Sequence, residues 1–318
     1  MRHVWLVVLR RLGLGVITLW VVSVLVFVGT EILPGDVAEA ILGQSATPEA
    51  VAAIREQLHL DRPALARYAG WLGNLLRGDL GVSLAANIEI SEMISGRLEN
   101  TMVLAGLTAA LAVPLALAMG LAAAMFPGGR LDRLVTVSTL FLLSVPEFFI
   151  AATLVLIFAV HLHWLPAITY TTEYESIGQM VKSLALPILT LTTSVVAHMA
   201  RMTRAAIINV MTSPYIEMAI LKGVPRGRIV LRHALFNAIG PVVNVVALNL
   251  AYLVSGVVIV ETVFAYPGLA KLMVDAVSRR DMPLVQACAM IFCSAYILFI
   301  LIADVLAILA NPRLRQPK

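Results

Sequence analysis

Residues 101–125 read TMVLAGLTAALAVPLALAMGLAAAM, twenty-five residues without a charge. About 20 predominantly apolar residues in a helix cross the hydrocarbon core of a bilayer, so this stretch alone predicts a membrane span. Working outward, five more runs qualify, at 12–33, 134–160, 184–204, 238–260 and 284–308. The whole chain agrees. Of its 318 residues, 60% are hydrophobic and 13% charged, and the mean hydropathy is +0.92. A soluble domain carries roughly a quarter charged residues. Soluble enzymes, disordered chains and disulfide scaffolds are thereby excluded. Cys288 and Cys293, five residues apart in one apolar run, suit neither a metal site nor a disulfide framework and read as small hydrophobes. Arg10 and Arg11 precede the first run, but it exceeds the about 7–15 residues of a signal-peptide core and no small-x-small site follows. The expectation is an uncleaved first span.

Basic residues set the orientation. With the N-terminus inside, the inner segments hold 14 of the 23 Lys and Arg residues against two acids, Asp132 and Glu217. The outer segments hold nine basic residues against fifteen acids. The sequence pI near 9.3 is thus a topological asymmetry and gives no support to nucleic-acid binding. Both termini are expected in the cytoplasm. Spans without lipid-exposed irregular backbone must be helices. Pro114 and Gly120 are expected to mark a kink and a close helix contact in the second span, while Pro187 opens the fourth and Pro241 the fifth.

Two segments are more than connectors. Outside, residues 34–100 begin with a Pro34-Gly35-Asp36 turn. Thr47 as N-cap with Pro48 at the first position starts a helix running to about Leu58. A second amphipathic stretch, 65–76, aligns Tyr68, Trp71, Leu72 and Leu75, and Gly78-Asp79-Leu80-Gly81 ends it. This cap either packs on the membrane face with Trp71 as anchor or forms a docking surface or lid. Inside, residues 205–237 far exceed the 2–8 residues a bundle connection needs. Ser213-Pro214 starts a helix and Lys222-Gly223-Val224-Pro225 stops it. Isolated helices under about 12–15 residues are marginal in water, so packing must hold this one. Tyr215, Met218, Ala219 and Lys222 share one side; Ile216, Ile220 and Gly223 lie on another. Apolar residues on two faces suggest a partner protein, the alternative being an interfacial helix on acidic lipid.

The segment Tyr215-Ile216-Glu217-Met218-Ala219-Ile220-Leu221-Lys222-Gly223, followed by Arg232-His233-Ala234-Leu235-Phe236-Asn237-Ala238, resembles the EAA loop of ABC importer permeases. The likeness is greatest to the dipeptide/oligopeptide/nickel permease family, and it covers nearly the whole chain. It includes Leu33-Pro34-Gly35-Asp36, Gly78-Asp79-Leu80-Gly81-Val82-Ser83, Glu99-Asn100-Thr101, Ser144-Val145-Pro146-Glu147-Phe148 and Trp164-Leu165-Pro166. It continues through Val260-Glu261-Thr262-Val263-Phe264-Ala265-Tyr266-Pro267-Gly268-Leu269, Arg280-Asp281-Met282-Pro283 and Asn311-Pro312-Arg313. Met218 stands where alanine is usual, His233 and Phe236 where Ile and Pro are common, and His59 replaces a usual glycine. The resemblance implies an all-α membrane protein, a type I ABC importer permease-like bundle of six transmembrane helices with a cytoplasmic coupling helix. Its parts would be 1–33 (N-terminus and first span), 34–100 (outer cap), 101–308 (five-helix core with the 205–237 loop) and 309–318 (tail). It further implies an inner-membrane location, a second related permease, two ATP-binding subunits and an extracytoplasmic solute-binding protein. Tyr215, Glu217, Met218, Ala219, Lys222 and Gly223 become the ATPase-coupling residues. The cargo would be peptides or related solutes, with nickel, glutathione or an opine-like conjugate as alternatives and an ATP-independent channel or scaffold as the rival class.

Chemistry of its own is not expected of this chain. No P-loop glycine–lysine sequence occurs, so ATP would be bound by partner subunits, and neither cofactor nor metal is anticipated. His161 and His163 are two ligands without a third and read as an interfacial pair. Charges within spans are costly and default to functional hypotheses. Glu147 is either protonated or paired, or lines the solute path. Glu261 and Phe264, at the outer end of the fifth span, are gate candidates together with Arg279, Arg280 or Asp281. Asp304 is expected to pair with a terminal arginine. The stretch 269–278 shows a stripe of Leu269, Met273 and Val277, either a gate element or a headgroup rest.

Overall fold

The computed structural model describes residues 2–32, 46–57, 62–169 and 174–310. The expected turn at Pro34-Gly35-Asp36, the His59 position and the tail from Asn311 lie outside the described residues. The described residues are helices joined by turns, with one isolated antiparallel bridge between Val82 and Glu89. The long helices are α1 (Arg2–Ile32), α4 (Ile90–Met125), α7 (Ile177–Met211), α9 (Leu235–Gly256) and α12 (Met282–Ala310). Between them lie α2 (Pro48–Gln57), α3 (Ala64–Leu76), α5 (Arg130–Ser144), α6 (Glu147–Leu154), α8 (Pro214–Leu221), α10 (Val258–Val263) and α11 (Leu269–Ser278). Among the described residues, five helical stretches are long and apolar enough to cross a membrane, and α5 with α6 makes a sixth if the bent pair is one span.

The stretch 134–160, expected as a span, is broken in the middle. α6 runs on as a π-helix, Val155–His161, and the two arms meet at 98°. The cause is local. Val145 precedes a proline and is driven out of the helical region to φ −93, ψ 126, and Pro146 follows at φ −59, ψ 141. Two extended residues in succession turn the chain. Pro187 and Pro241, by contrast, start nothing. Both lie inside helices, because α7 begins ten residues earlier, where the Ser176 hydroxyl accepts from the Gln179 N–H at 3.2 Å. The chain before Pro241 is likewise already helical from Arg226. α4 passes through Pro114 as one helix.

Two compact units emerge, each resting on its own contacts. In the unit built on Met102–Tyr266, α7 packs against α5, α6 and α9. Gly120 of α4 marks the closest approach to α7. A Cβ there would lie 2.7 Å from the Ala200 carbonyl oxygen and 2.8 Å from the Thr203 Cβ. Gly120→Val is therefore expected to cost about 1–3 kcal/mol or more through overpacking, read as a lower thermal midpoint of the solubilised protein. Arg11 Nη1 and Asp304 Oδ2 pair at 3.1 Å, as expected for Asp304. Cys288 is buried and Cys293 partly so, both free.

In the other unit, Leu14–Thr101 with Pro267–Ser294, α3 packs on the second half of α1. Tyr68 and Trp71 meet Phe27 at ring-centroid distances of 5.4 and 6.1 Å. The Ser23 and Tyr68 hydroxyls are 2.8 Å apart, and Arg67 pairs with Glu31. Leu72 and Leu75 share the partly buried face, as the periodicity of 65–76 predicts. α11 buries Leu269, Ala270, Leu272 and Ala276 and leaves Val277 51% exposed. The expected stripe through Val277 is thus rotated by about one position.

Candidate functional site

α8 is built by its ends. Ser213 is the N-cap residue, Pro214 opens the helix with no N–H to lose, and Lys222 closes it. Beyond Lys222, Gly223 turns left-handed at φ +73. Its N–H donates to the Ile220 carbonyl at 2.9 Å, and the Val224 N–H to the Ala219 carbonyl at 3.1 Å. These two bonds are the Schellman arrangement, in which a left-handed residue lets the chain satisfy carbonyls the helix leaves open. One side chain anchors the rod. Ile216 is fully buried in a cluster with Ala124, Ile207, Ile229, Val230 and Ala238, drawn from α4, α7 and α9 and the π-helical turn before α9. Ala219 and Val224 pack on the same cluster. Tyr215, Met218, Ile220 and Leu221 are 40%, 54%, 55% and 75% exposed, and Glu217 and Lys222 are exposed as well. The sequence grouping of the two faces is thus corrected at two positions. Ala219 turns inward and Ile220 outward, because Ile216 and Ala219, three apart, point down together.

The same unit holds a pair the sequence did not announce. Asp132, in the first turn of α5, is 4% exposed. It binds the Arg204 guanidinium of α7 through both carboxylate oxygens, and its Oδ2 also accepts the Gly128 N–H at 2.8 Å. The only available signal was that Asp132 is one of two acids among the inner basic residues. Its partner 72 positions on was not readable.

Of the pathway candidates, Glu147 is half-buried at the start of α6 and accepts from the Tyr252 hydroxyl at 3.3 Å. Nearby, on α7 and α9, His198 meets Asn249 at 3.3 Å. Glu261 and Phe264 are fully buried. After α10 the chain repeats the Schellman bonds, with the Ala265 N–H to the Thr262 carbonyl at 3.3 Å and the Tyr266 N–H to the Glu261 carbonyl at 2.9 Å. Here an alanine takes the left-handed turn, φ +51. The Phe264 carbonyl accepts the Thr169 N–H at 2.7 Å. Burial pushes the Tyr266 phenol up, and the neighbouring Tyr174 and Glu261 add to the shift.

Asp281 sits in a comparable turn after α11, where Arg280 is left-handed at φ +56. Its carboxylate accepts the Ser83 hydroxyl, the Leu84 and Ala85 N–H groups at 3.2 and 3.3 Å, and, at 3.4 Å, the Leu284 N–H of α12. Asp281 therefore ties the 83–85 turn to the start of α12. Arg279 and Arg280 are exposed. His161 and His163 bond only to nearby backbone, Leu156 and His161 respectively. Among the described residues no three of His, Cys, Asp and Glu gather as metal ligands.

Comparison with known proteins bears on this geometry directly. Residues 112–316 match the model of the binding-protein-dependent transport system inner membrane component, and residues 4–105 match its N-terminal companion. The chain is 35% identical to a probable peptide ABC transporter permease protein, y4tP, of Sinorhizobium fredii, with 97% of this chain and 98% of that protein aligned. It is 37% identical to the glutathione transport system permease protein GsiC of Escherichia coli strain K12, and 38% identical to that of Salmonella typhimurium. Each alignment covers 97% of this chain and 98% of the relative. This multi-pass helical chain, matched over 97% of its length, belongs to the inner-membrane permease family of binding-protein-dependent ABC importers.

Proposed function

We propose that this chain is one of two permease subunits enclosing a pathway for peptides or related small solutes such as glutathione. Two separate ATP-binding subunits would drive it and an extracytoplasmic solute-binding protein would feed it. The names of its relatives support the cargo class, with nickel or an opine-like conjugate as the alternative cargoes. The excess of Lys and Arg in alternate loops supports cytoplasmic termini. ATP would be held by the partner subunits.

The observation that carries this reading is the division of α8. One side chain, Ile216, is fully buried, while Met218, Ile220 and Leu221 present an apolar face outward. An amphipathic helix offering such a face fits a groove on another protein. Closure of an ATPase dimer would then move α8 as a rigid body, because the Schellman turn and the Ile216 anchor fasten it to α4, α7 and α9. Glu217 and Lys222 flank the docking face, and Tyr215 extends it. On the outer side Glu261 and Phe264 would shape the gate, with Asp281 fixing the 83–85 turn.

The test is a cysteine at Leu221 with a short bifunctional thiol reagent in native vesicles. A cross-link to a nucleotide-binding subunit is expected. Capture of no such subunit, or reaction of that thiol from the outer face, overturns the reading. Leu221→Arg is expected to lower ATP-driven uptake at least about tenfold, as loss of an interface anchor worth about 2 kcal/mol does, while leaving the thermal midpoint unchanged.

A further inference from the structure

The end of α1, the start of α12 and one face of α3 enclose a cavity of about 440 Å³. Thr30 and Glu31 line it from α1, and Met282, Pro283 and Gln286 from α12. The first two close the candidate span Val8–Ile32, and the other three open the candidate span Met282–Val305. The Gln286 amide N–H donates to the Thr30 hydroxyl at 2.7 Å, which holds the two span ends level. The cavity therefore opens where hydrocarbon gives way to headgroups. Trp71 lines it as well, an aromatic of the kind that settles at that boundary.

Its charges are balanced. Among the described lining residues two are cationic, Arg62 and Arg67, and two anionic, Glu31 and Asp79. Arg67 Nε donates to the Arg62 carbonyl at 3.2 Å and Nη2 to Glu31 Oε1. Arg67 Nη1 and Glu31 Oε2 are left without a partner among the described residues, with 20% and 37% of the two side chains exposed. The Arg62 guanidinium is exposed and in no ion pair, and Asp79 Oδ1 accepts the Gly81 N–H at 2.8 Å. Asn74 and Gln286 each offer both a donor and an acceptor and favour neither sign.

Such a wall suits a ligand of no net charge that carries an anion and an N–H-bearing cation a few atoms apart. Two carboxylates repel an anionic headgroup, and a quaternary ammonium brings no N–H to Glu31. Phe27, Leu80 and Met282 make the rest of the lining apolar. On the adjoining strip of α1, Val28 and Ile32 are 42% and 74% exposed, a surface that acyl chains cover and a soluble zwitterion does not.

The geometry points to a binding site for the headgroup of an ethanolamine phospholipid. Arg67 Nη1 and Arg62 take its phosphate, Glu31 Oε2 takes its primary ammonium, and the acyl chains run along Val28 and Ile32. The site lies outside the pathway and coupling roles above, and it requires only that α1 and α12 cross the membrane, in either direction.

The test uses the full transporter, with Cys288→Ala and Cys293→Ala removing this chain's native thiols. Gly70→Cys places a thiol on the cavity wall, where a Cβ meets nothing within 4 Å. The protein is held in nanodiscs of phosphatidylcholine alone, or with part of it replaced by phosphatidylethanolamine or phosphatidylglycerol of the same chains. Reaction with methyl methanethiosulfonate is timed on this chain. Phosphatidylethanolamine is expected to slow labelling about tenfold, the worth of one charge-assisted hydrogen bond, and phosphatidylglycerol should leave it unchanged. Glu31→Gln should erase the protection, and Arg62→Gln, which breaks no ion pair, should weaken it. Soluble glycerophosphoethanolamine and dialanine, added to phosphatidylcholine discs, should give none. Equal labelling in the three bilayers, protection by phosphatidylglycerol, protection that survives Glu31→Gln, or a thiol closed to the reagent in every bilayer overturns the site. Protection by either soluble zwitterion overturns the assignment to lipid.

Discussion

Gly223→Val is expected to abolish ATP-driven uptake while the protein still inserts and still binds its partner permease. At φ +73 a residue with a Cβ is strained by roughly 1–2 kcal/mol, and a β-branched one by more. The rod it closes spans eight residues, too few to persist in water without the turn and the Ile216 anchor. Losing about 2 kcal/mol shifts the population of the closed turn by a factor of about 30. No atom lies within 4 Å of where a Cβ at Gly223 would stand, so the effect must come from backbone conformation rather than collision within the chain. That gives an ordering. Asparagine, which tolerates the left-handed region, should keep most activity, alanine less and valine least. Uptake in proteoliposomes measures it. An asparagine variant as dead as valine would move the requirement from backbone angle to space against the ATPase subunit.

Asp132→Ala is the second large effect. It leaves the Arg204 guanidinium without its two-oxygen partner and the Gly128 N–H without its acceptor. Removing one member of a buried pair costs about 3–5 kcal/mol. Arg204 keeps 28% of its side chain exposed, so the lower end, about 3 kcal/mol, is expected. Thermal unfolding of the solubilised protein should show a midpoint lower by about 5–10 °C. The double change Asp132→Leu with Arg204→Met should recover most of that loss, because an apolar pair of similar volume removes the uncompensated charge. If the double variant stays as unstable as the single one, the pair is not what holds α5 to α7.

Uneven legibility has physical causes. The uncharged run at 101–125 and the Ser213-Pro214 and Gly223 signals are local, and the helices they predict are found. The break at Val145-Pro146 was equally local, yet an apolar run on both sides masked it; the rule that the residue before proline leaves the helix decides it. Pro187 and Pro241 misled in the opposite direction, since an interior proline in a tightly packed span does not end the helix. The faces of α8 were settled by tertiary packing on Ile216. The ties of Asp132 to Arg204 and of Asp281 to Ser83 join positions 72 and 198 residues apart, which no periodicity reveals. Ala265 and Arg280 carry left-handed turns without glycine, so their helix stops had no marker in the sequence.

The corner at Val145-Pro146 also sets a length problem. α5 has 15 residues, and α6 with its π extension has 8 and 7. At 1.5 Å per residue each arm measures about 22 Å, short of the roughly 30 Å hydrocarbon slab. Neither arm reaches across by itself, and with the chain turning by 98° between them the two together span the slab only when both are strongly and about equally tilted. In any other orientation a deficit is left that thinned lipid or a neighbouring protein must cover. Short-chain detergents and thin bilayers should therefore suit the solitary subunit, and thick bilayers should suit it only with its companion in place.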